Sequence, residues 1–242
     1  ISVTGVQTCS LPIVIVPSFT YIASANAVKY TGAKVVFVDS KEDSWQLDPD
    51  DIEHRITERT RAIMPVHLYG HPCDMDAILA IANKHRLFVI EDCAEAIGSE
   101  YKGKKVGSFG VIAAFSFFGN KTITCGEGGM VLTNDKTLYE RAIHLKGQGL
   151  AAHREYWHDI IGYNYRMTNI AAAIGLAQLE QVDSFVGRKI EIADMYKKLL
   201  EGLPIKVQES VGDVKHTYWM VSITCNQIED RDKLRDFLRN EG

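Results

Sequence analysis

Two stretches of this 242-residue chain carry residue types that can do chemistry. The first is Phe88-Val89-Ile90-Glu91-Asp92, an apolar run closed by an acidic pair. Open α/β sheets gather their ligands at the carboxyl edge of the strands, which makes Asp92 a candidate ligand-facing carboxylate. The plainer alternative is a strand-end acid that caps the next helix. The second stretch is Ser116-Phe117-Phe118-Gly119-Asn120-Lys121, followed by Gly126-Glu127-Gly128-Gly129. Most lysines are solvated at the surface. Phe117, Phe118 and Ile123 are poor company for a solvated ammonium, however. A partly desolvated lysine gives up its proton more easily and becomes a usable amine nucleophile.

The two stretches fit one cofactor. Pyridoxal phosphate needs a lysine for covalent attachment, a carboxylate to keep its ring nitrogen protonated, and donors for its phosphate. Lys121 and Asp92 match the first two needs, and Ser116 is a candidate phosphate donor. A carboxylate beside a cationic ring nitrogen shifts by roughly 1–3 pKa units, which biases proton placement by roughly 1.4–4 kcal/mol. Other constellations are weaker. His153 and His158 are five apart, not the four that one helix face requires, so no metal site is expected. His67 and Tyr69 follow an apolar run and either face a pocket or, for His67, form a satisfied strand-end contact. The Gly126–Gly129 cluster lacks a phosphate-loop pattern and reads as a tight turn.

The elements that must position these residues follow from apolar period and punctuation. Ile13–Val16, Lys34–Val38, Arg61–Val66 and Leu87–Ile90 read as strands, separated by helical patterns at Tyr21–Tyr30, Asp48–Ile56 and Asp74–His85. Asp48 followed by Pro49 is a cap with a first-turn proline. Such alternation predicts an α/β fold, a mostly parallel sheet flanked by helices. Shorter β segments are expected at Val111–Phe115 and Met130–Thr133, and a helix at Lys136–Lys146. A long helical stretch is expected from Thr168 to about Leu200. In it Ile170, Ile174, Ala177 and Gln181 share one face, widened by Leu176, Leu179 and Val182. Tyr218–Thr224 reads as a strand opening a second domain, and Arg231–Gly242 as a charged helix.

Composition bounds the class. Apolar residues make up 46% and charged residues 24%, which excludes a disordered chain. With 27 basic against 31 acidic residues and a net charge of −4, nucleic acid is a poor partner. No apolar run reaches the roughly 18 residues of a spanning helix, so no membrane partner is expected and the chain reads as soluble. The 5 cysteines are odd in number and widely spaced, which points to a reducing cytoplasm. Residues 1–13 show no clear period and no Lys or Arg, and read as a non-native leader. Residues 14–185 then form a large cofactor-binding domain lacking its N-terminal part, and 186–242 begin a truncated small α+β domain.

Several motifs together carry a family resemblance. They are Val16-Pro17-Ser18-Phe19-Thr20-Tyr21, His67-Leu68-Tyr69-Gly70-His71-Pro72-Cys73-Asp74, Glu91-Asp92-Cys93-Ala94-Glu95-Ala96, Phe115–Lys121, and Gly162-Tyr163-Asn164-Tyr165-Arg166-Met167. From Val14 onward the chain resembles the DegT/DnrJ/StrS-type sugar aminotransferases, which are fold-type I pyridoxal phosphate enzymes. The resemblance implies that Lys121 holds the cofactor and shuttles a proton, Asp92 pairs with the ring nitrogen, and Ser116 binds the phosphate. It also implies that Asn164 reaches the phosphate of a neighbouring subunit in a homodimer, and that Glu95 lies near the ring hydroxyl, where relatives often carry Gln or His. Glutamate would be the amino donor. The acceptor would be a nucleotide-linked 4-keto-6-deoxyhexose; Lys146–Leu150 and Tyr156–Asp159 narrow it to GDP-4-keto-6-deoxy-mannose. The stretch around His153, Trp157 and His158 would then be an active-site loop contributing to sugar binding. The family's upstream phosphate loop has no counterpart in residues 1–13, and part of the small domain is lacking. Two alternatives stay open: a sugar dehydratase of the same fold, in which His usually replaces the lysine, and an inactive fragment.

Overall fold

The computed structural model describes residues 11–242. The first ten positions of the leader expected at 1–13 lie outside the described residues. Ile13 opens the first strand and is buried. The chain alternates as β1 (Ile13–Pro17), α1 (Ala23–Tyr30), β2 (Lys34–Val38), α2 (Pro49–Arg55), β3 (Thr60–Ile63), α3 (Met75–His85) and β4 (Phe88–Asp92). Helix starts follow local chemistry. The Asp48 carboxylate accepts from the Asp50 N–H ahead of Pro49, and that of Asp74 accepts from the Ala77 N–H. Each cap satisfies a donor that the first helical turn leaves free.

Past β4 come the short strands β5 (Glu100–Tyr101) and β6 (Lys104–Lys105), then β7 (Ile112–Ser116) and β8 (Gly129–Leu132). Six strands form the main sheet in the order β2-β1-β3-β4-β7-β8, with only β8 antiparallel to its neighbour. Parallel pairing puts the carboxyl ends of β1, β3, β4 and β7 on one edge, so Asp92 and Ser116 end on the same side. At β1 both faces of the sheet are covered, which explains the unbroken apolar run of that strand. Ile13 and Ile15 pack with Ile52, Met75 and Ile78 under α2 and α3, whereas Val16 packs with Val28 of α1. Gly129 lies against Phe115 so closely that a Cβ there would stand 2.5 Å from the Phe115 carbonyl oxygen.

The remainder is α4 (Lys136–Lys146), α5 (Asn169–Leu179), α6 (Val182–Leu199), β9 (Ile205–Val207), β10 (Val214–Lys215), β11 (Ile223–Cys225) and α7 (Ile228–Glu241). Strand β10 joins β5 and β6, and β9 pairs with β11. No helix among the described residues is long and apolar enough to cross a membrane.

Two expectations need correction. The helical stretch from Thr168 to Leu200 is two helices: Thr168 caps α5, and Gln181 ends up as the residue before α6 rather than on the α5 face. The stripe on α5 is not core either, because Ile170, Ile174, Leu176 and Leu179 are all exposed. Tyr218–Thr224 is not one strand. Only Ile223–Cys225 pairs, while Tyr218 and Trp219 are buried in an irregular segment that docks on the 67–71 loop.

Candidate active site

Strand alternation separates the acidic pair at the end of β4. Glu91 is fully buried and accepts from the backbone N–H groups of Gly107, Phe109 and Gly110 at 2.6–2.7 Å. His67 stands 3.2 Å from the same carboxylate through Nε2. The Cys73 N–H donates to His67 Nδ1, so the imidazole proton sits on Nε2 and is donated to Glu91. Burial by itself would raise the Glu91 carboxyl, but the His67 bond and the Gly110 and Gly107 N–H groups hold it below its ordinary range. His67 therefore makes the satisfied strand-end contact. Together with Cys93 it forms a buried group whose ligand-type atoms lie within 4.8 Å of one another. The hydrogen bonds at Glu91 and His67 already occupy the atoms a metal would use.

Asp92 points the other way. Its Oδ2 accepts from the Ser24 hydroxyl of α1 at 2.7 Å, and its Oδ1 from the Ala94 N–H at 3.1 Å. Three residues on, Glu95 is buried; its Oε2 accepts from the Tyr69 N–H at 2.7 Å and its Oε1 lies 3.8 Å from Lys121 Nζ. Burial pushes the Glu95 carboxyl up, against the pull of the Tyr69 N–H and the Lys121 charge. The Lys121 side chain is 14% exposed, so its amine is withdrawn from bulk water. Burial lowers its pKa, opposed by the charges of Glu95 and Asp92. An amine pushed down beside a carboxyl pushed up makes proton exchange between them easier than between ordinary surface groups.

Aromatic rings close over this amine. Lys121 Nζ lies 3.8 Å from the centroid of the Trp219 ring. Trp219 stacks on Tyr69 at 6.5 Å, and Tyr69 meets Phe19 and Trp45 edge-on at 6.2 and 6.5 Å. Tyr69 holds φ at 58°, in the left-handed region. Bulky residues rarely adopt that conformation, and packing must maintain it.

Ser116 ends β7 on the same edge, with its hydroxyl accepting from the Phe118 N–H at 3.3 Å. Asn164 stands apart, exposed and bridged through its backbone to Gly147. No hydrogen bond or ion pair joins it to Asp92, Glu95, Ser116 or Lys121 among the described residues. His158 donates from Nδ1 to the Gln148 carbonyl at 2.8 Å, and Trp157 lies under the Arg154 guanidinium. Gly126 and Gly128 have positive φ, as a tight turn requires. Sequence reasoning missed Trp219 and Ser24. Nothing local marks either: Trp219 reaches Asn120 across 99 positions and Ser24 reaches Asp92 across 68.

The sequence profile described as the DegT/DnrJ/EryC1/StrS aminotransferase family matches residues 5–242. The chain is 65% identical over 228 residues to a GDP-perosamine synthase of Escherichia coli O157:H7, covering 94% of this chain and 62% of that protein. It is 48% identical over 229 residues to the GDP-perosamine synthase of Vibrio cholerae, again covering 94% of this chain and 62% of the relative. The chain thus spans about three fifths of the length of these curated relatives. Among solved structures, S. venezuelae DesV in complex with a ketimine intermediate matches with a TM-score of 0.88 at 41% identity, covering 95% of this chain and 61% of that one. The 3-amino-5-hydroxybenzoic acid synthase structure matches with a TM-score of 0.90 at 33% identity, covering 96% and 63%. With a profile match over nearly its whole length and 65% identity to a relative over 94% of the chain, this chain belongs to the DegT/DnrJ/EryC1/StrS aminotransferase family.

Proposed function

We propose that this chain is the cofactor-binding portion of a pyridoxal phosphate-dependent aminotransferase. It moves an amino group from glutamate to a nucleotide-linked 4-keto-6-deoxyhexose, converting GDP-4-keto-6-deoxy-D-mannose to GDP-perosamine for surface polysaccharide. The observation that carries the reading is the Lys121 amine, partly dry and 3.8 Å from Glu95, under the electrostatic reach of Asp92 at the carboxyl edge of the sheet. The choice of sugar rests on the 65% identity to the E. coli relative.

The donor set fits the cofactor: an amine with a lowered pKa, a sheet-edge carboxylate held by two donors, and a strand-end hydroxyl. Bound there, pyridoxal phosphate supplies an aldehyde for covalent attachment and a ring that accepts the electron pair left at the amino-bearing carbon. Lys121 holds the cofactor and, once free, moves the proton at that carbon. Asp92, fixed by Ser24 and Ala94, keeps the ring nitrogen protonated. Ser116 binds the phosphate, and Glu95 sits near the ring hydroxyl and steadies the Lys121 ammonium. Asn164 completes the phosphate site from a second copy in a homodimer. The exposed apolar residues of α5 and of β8, Met130, Val131 and Leu132, support such an interface. We take the boundary between the large and small domains to lie near residue 185 and the protein to be cytoplasmic.

The test is absorbance of the full-length protein with pyridoxal phosphate. A band at about 400–430 nm is expected, and it is lost in Lys121→Ala. A band that survives the substitution removes Lys121 from its role. A product assay with glutamate and GDP- or dTDP-linked 4-keto sugars then identifies the acceptor: 2-oxoglutarate and an amino sugar are expected from the GDP-linked one.

A further inference from the structure

Trp219 belongs to a segment distant in sequence from the site, and each of its polar atoms is hydrogen-bonded. Its indole Nε1–H donates to the Asn120 carbonyl at 2.8 Å, immediately before Lys121. Its backbone N–H donates to the Tyr69 carbonyl at 2.8 Å, and its carbonyl accepts from Lys189 Nζ at 3.1 Å. One residue earlier, Tyr218 holds φ at 44°. Before that, the Thr217 N–H donates to the Gly70 carbonyl, and the Thr217 hydroxyl pairs with that of Ser99 at 2.8 Å. Gly70 has φ of 94°, and a Cβ there would stand 2.5 Å from Thr217 Oγ1 and 3.2 Å from the Trp219 nitrogen. The segment is pressed onto the 67–71 loop with no room for a side chain between. Rigid fixing of this kind, with Tyr69 and Tyr218 both held at positive φ, is what a placed functional group requires.

We propose that Trp219 is a positioning residue for the Lys121 amine: its indole face, anchored to Asn120 and Tyr69, holds the amine beside Glu95 and keeps water off it. This rests on the reading of Lys121 as the cofactor lysine. The ring face is an electrostatic partner for an ammonium and an apolar wall for the free amine. It can therefore keep one geometry through both protonation states. Tyr69 links the two sides, since its N–H binds Glu95 while its carbonyl and ring bind Trp219. The charged or titratable groups around the pair are Glu95 and Asp92 toward Lys121, Lys189 on the Trp219 carbonyl, and Tyr69 under the indole. His216, stacked on Tyr218 at 3.6 Å, is pushed down to about 2, by burial first and then by His71, and stays neutral.

The experiment follows methylation of Lys121 by formaldehyde and cyanoborohydride across pH. It uses the full-length protein without added cofactor, with mass spectrometry of the Lys121 peptide as readout. In Trp219→Leu, water reaches the amine, so the labelling midpoint rises toward that of an ordinary lysine and labelling at neutral pH slows. Trp219→Phe, which restores a ring face, brings the midpoint back to that of the unsubstituted protein. A midpoint that is unchanged or lower in Trp219→Leu, or a Phe variant that behaves like the Leu variant, overturns the proposal. A second readout keeps the indole in place. Indole emission is expected to step at the Lys121 labelling midpoint in the unsubstituted protein and to lose that step in both Lys121→Met and Trp219→Phe. Absence of the step also overturns it. Survival of the visible band in Lys121→Ala would sink the cofactor role of Lys121 and leave these labelling results untouched, so the two failures are distinct.

Discussion

At Glu91 three backbone N–H groups and one imidazole converge on a single buried carboxylate, whereas its neighbour Asp92 is turned toward the site. Removing Glu91 orphans all four donors. Glu91→Ala is expected to destabilise the fold by about 3 kcal/mol or more, measured by urea unfolding. The folded carboxyl titrates below its ordinary value of 4.5. Its contribution is therefore complete above that pH and is lost as pH falls through the lowered folded value. The difference between Glu91→Ala and the unsubstituted protein should accordingly shrink on acidification. Glu95 gives a different signature. Its charge raises the Lys121 pKa against burial, so Glu95→Gln is expected to lower the pH midpoint of Lys121 labelling while keeping an acceptor for the Tyr69 N–H. An unchanged midpoint would mean that the 3.8 Å approach has no electrostatic consequence in solution.

Elements meet at a few contacts that single substitutions can break. Asp74 caps α3 through Ala77 and accepts the Tyr101 hydroxyl at 2.9 Å, tying the helix to β5. It is exposed, so Asp74→Ala is expected to cost about 1 kcal/mol in thermal or urea unfolding. Gly70 is where the 217–219 segment docks. Gly70→Ala places a Cβ against Thr217 and forces a non-glycine residue to φ of 94°. The expected cost exceeds about 1 kcal/mol. Its signature is specific: emission from Trp219 shifts to the red, and protease cleavage near residues 211–222 speeds up. A variant that loses stability while keeping buried Trp219 emission would show that the clash is relieved elsewhere.

Over the whole molecule, the unusual feature is apolar surface left uncovered by this chain. Helix α5 reads Asn-Ile-Ala-Ala-Ala-Ile-Gly-Leu-Ala-Gln-Leu, with no charged residue and no buried one. A helix that is apolar all round is covered in its working state. Strand β8, exposed along its length at the edge of the sheet, extends the same problem. Under the homodimer proposed above, Ile170→Asp combined with Ile174→Asp is expected to shift the sedimenting species of the full-length protein from dimer to monomer. It should leave the far-ultraviolet circular dichroism unchanged. A dimer that persists would place the interface elsewhere.

Short-range chemistry made much of this protein legible in its sequence. The apolar runs that became β1 to β4 and the caps at Asp48 and Asp74 depend on residues a few positions apart, whereas Phe118, expected to help dry the Lys121 amine, is exposed and the ring over that amine is Trp219. The end of an apolar strand marked Asp92 as a ligand-facing candidate, with a helix cap as the alternative, but left the direction of each side chain open. That depended on the Gly107–Gly110 turn and on Ser24 of α1. The break between α5 and α6 and the exposure of the α5 stripe depended on packing, which no local period encodes. Tyr218-Trp219 looked like strand because aromatic runs favour strands. Tertiary structure made it the wall above Lys121, because the hydrogen bonds of Trp219 to Asn120 and Tyr69, with that of Thr217 to Gly70, outweigh that propensity. Local preference chooses an element, whereas only contacts between distant segments can choose what the element is next to.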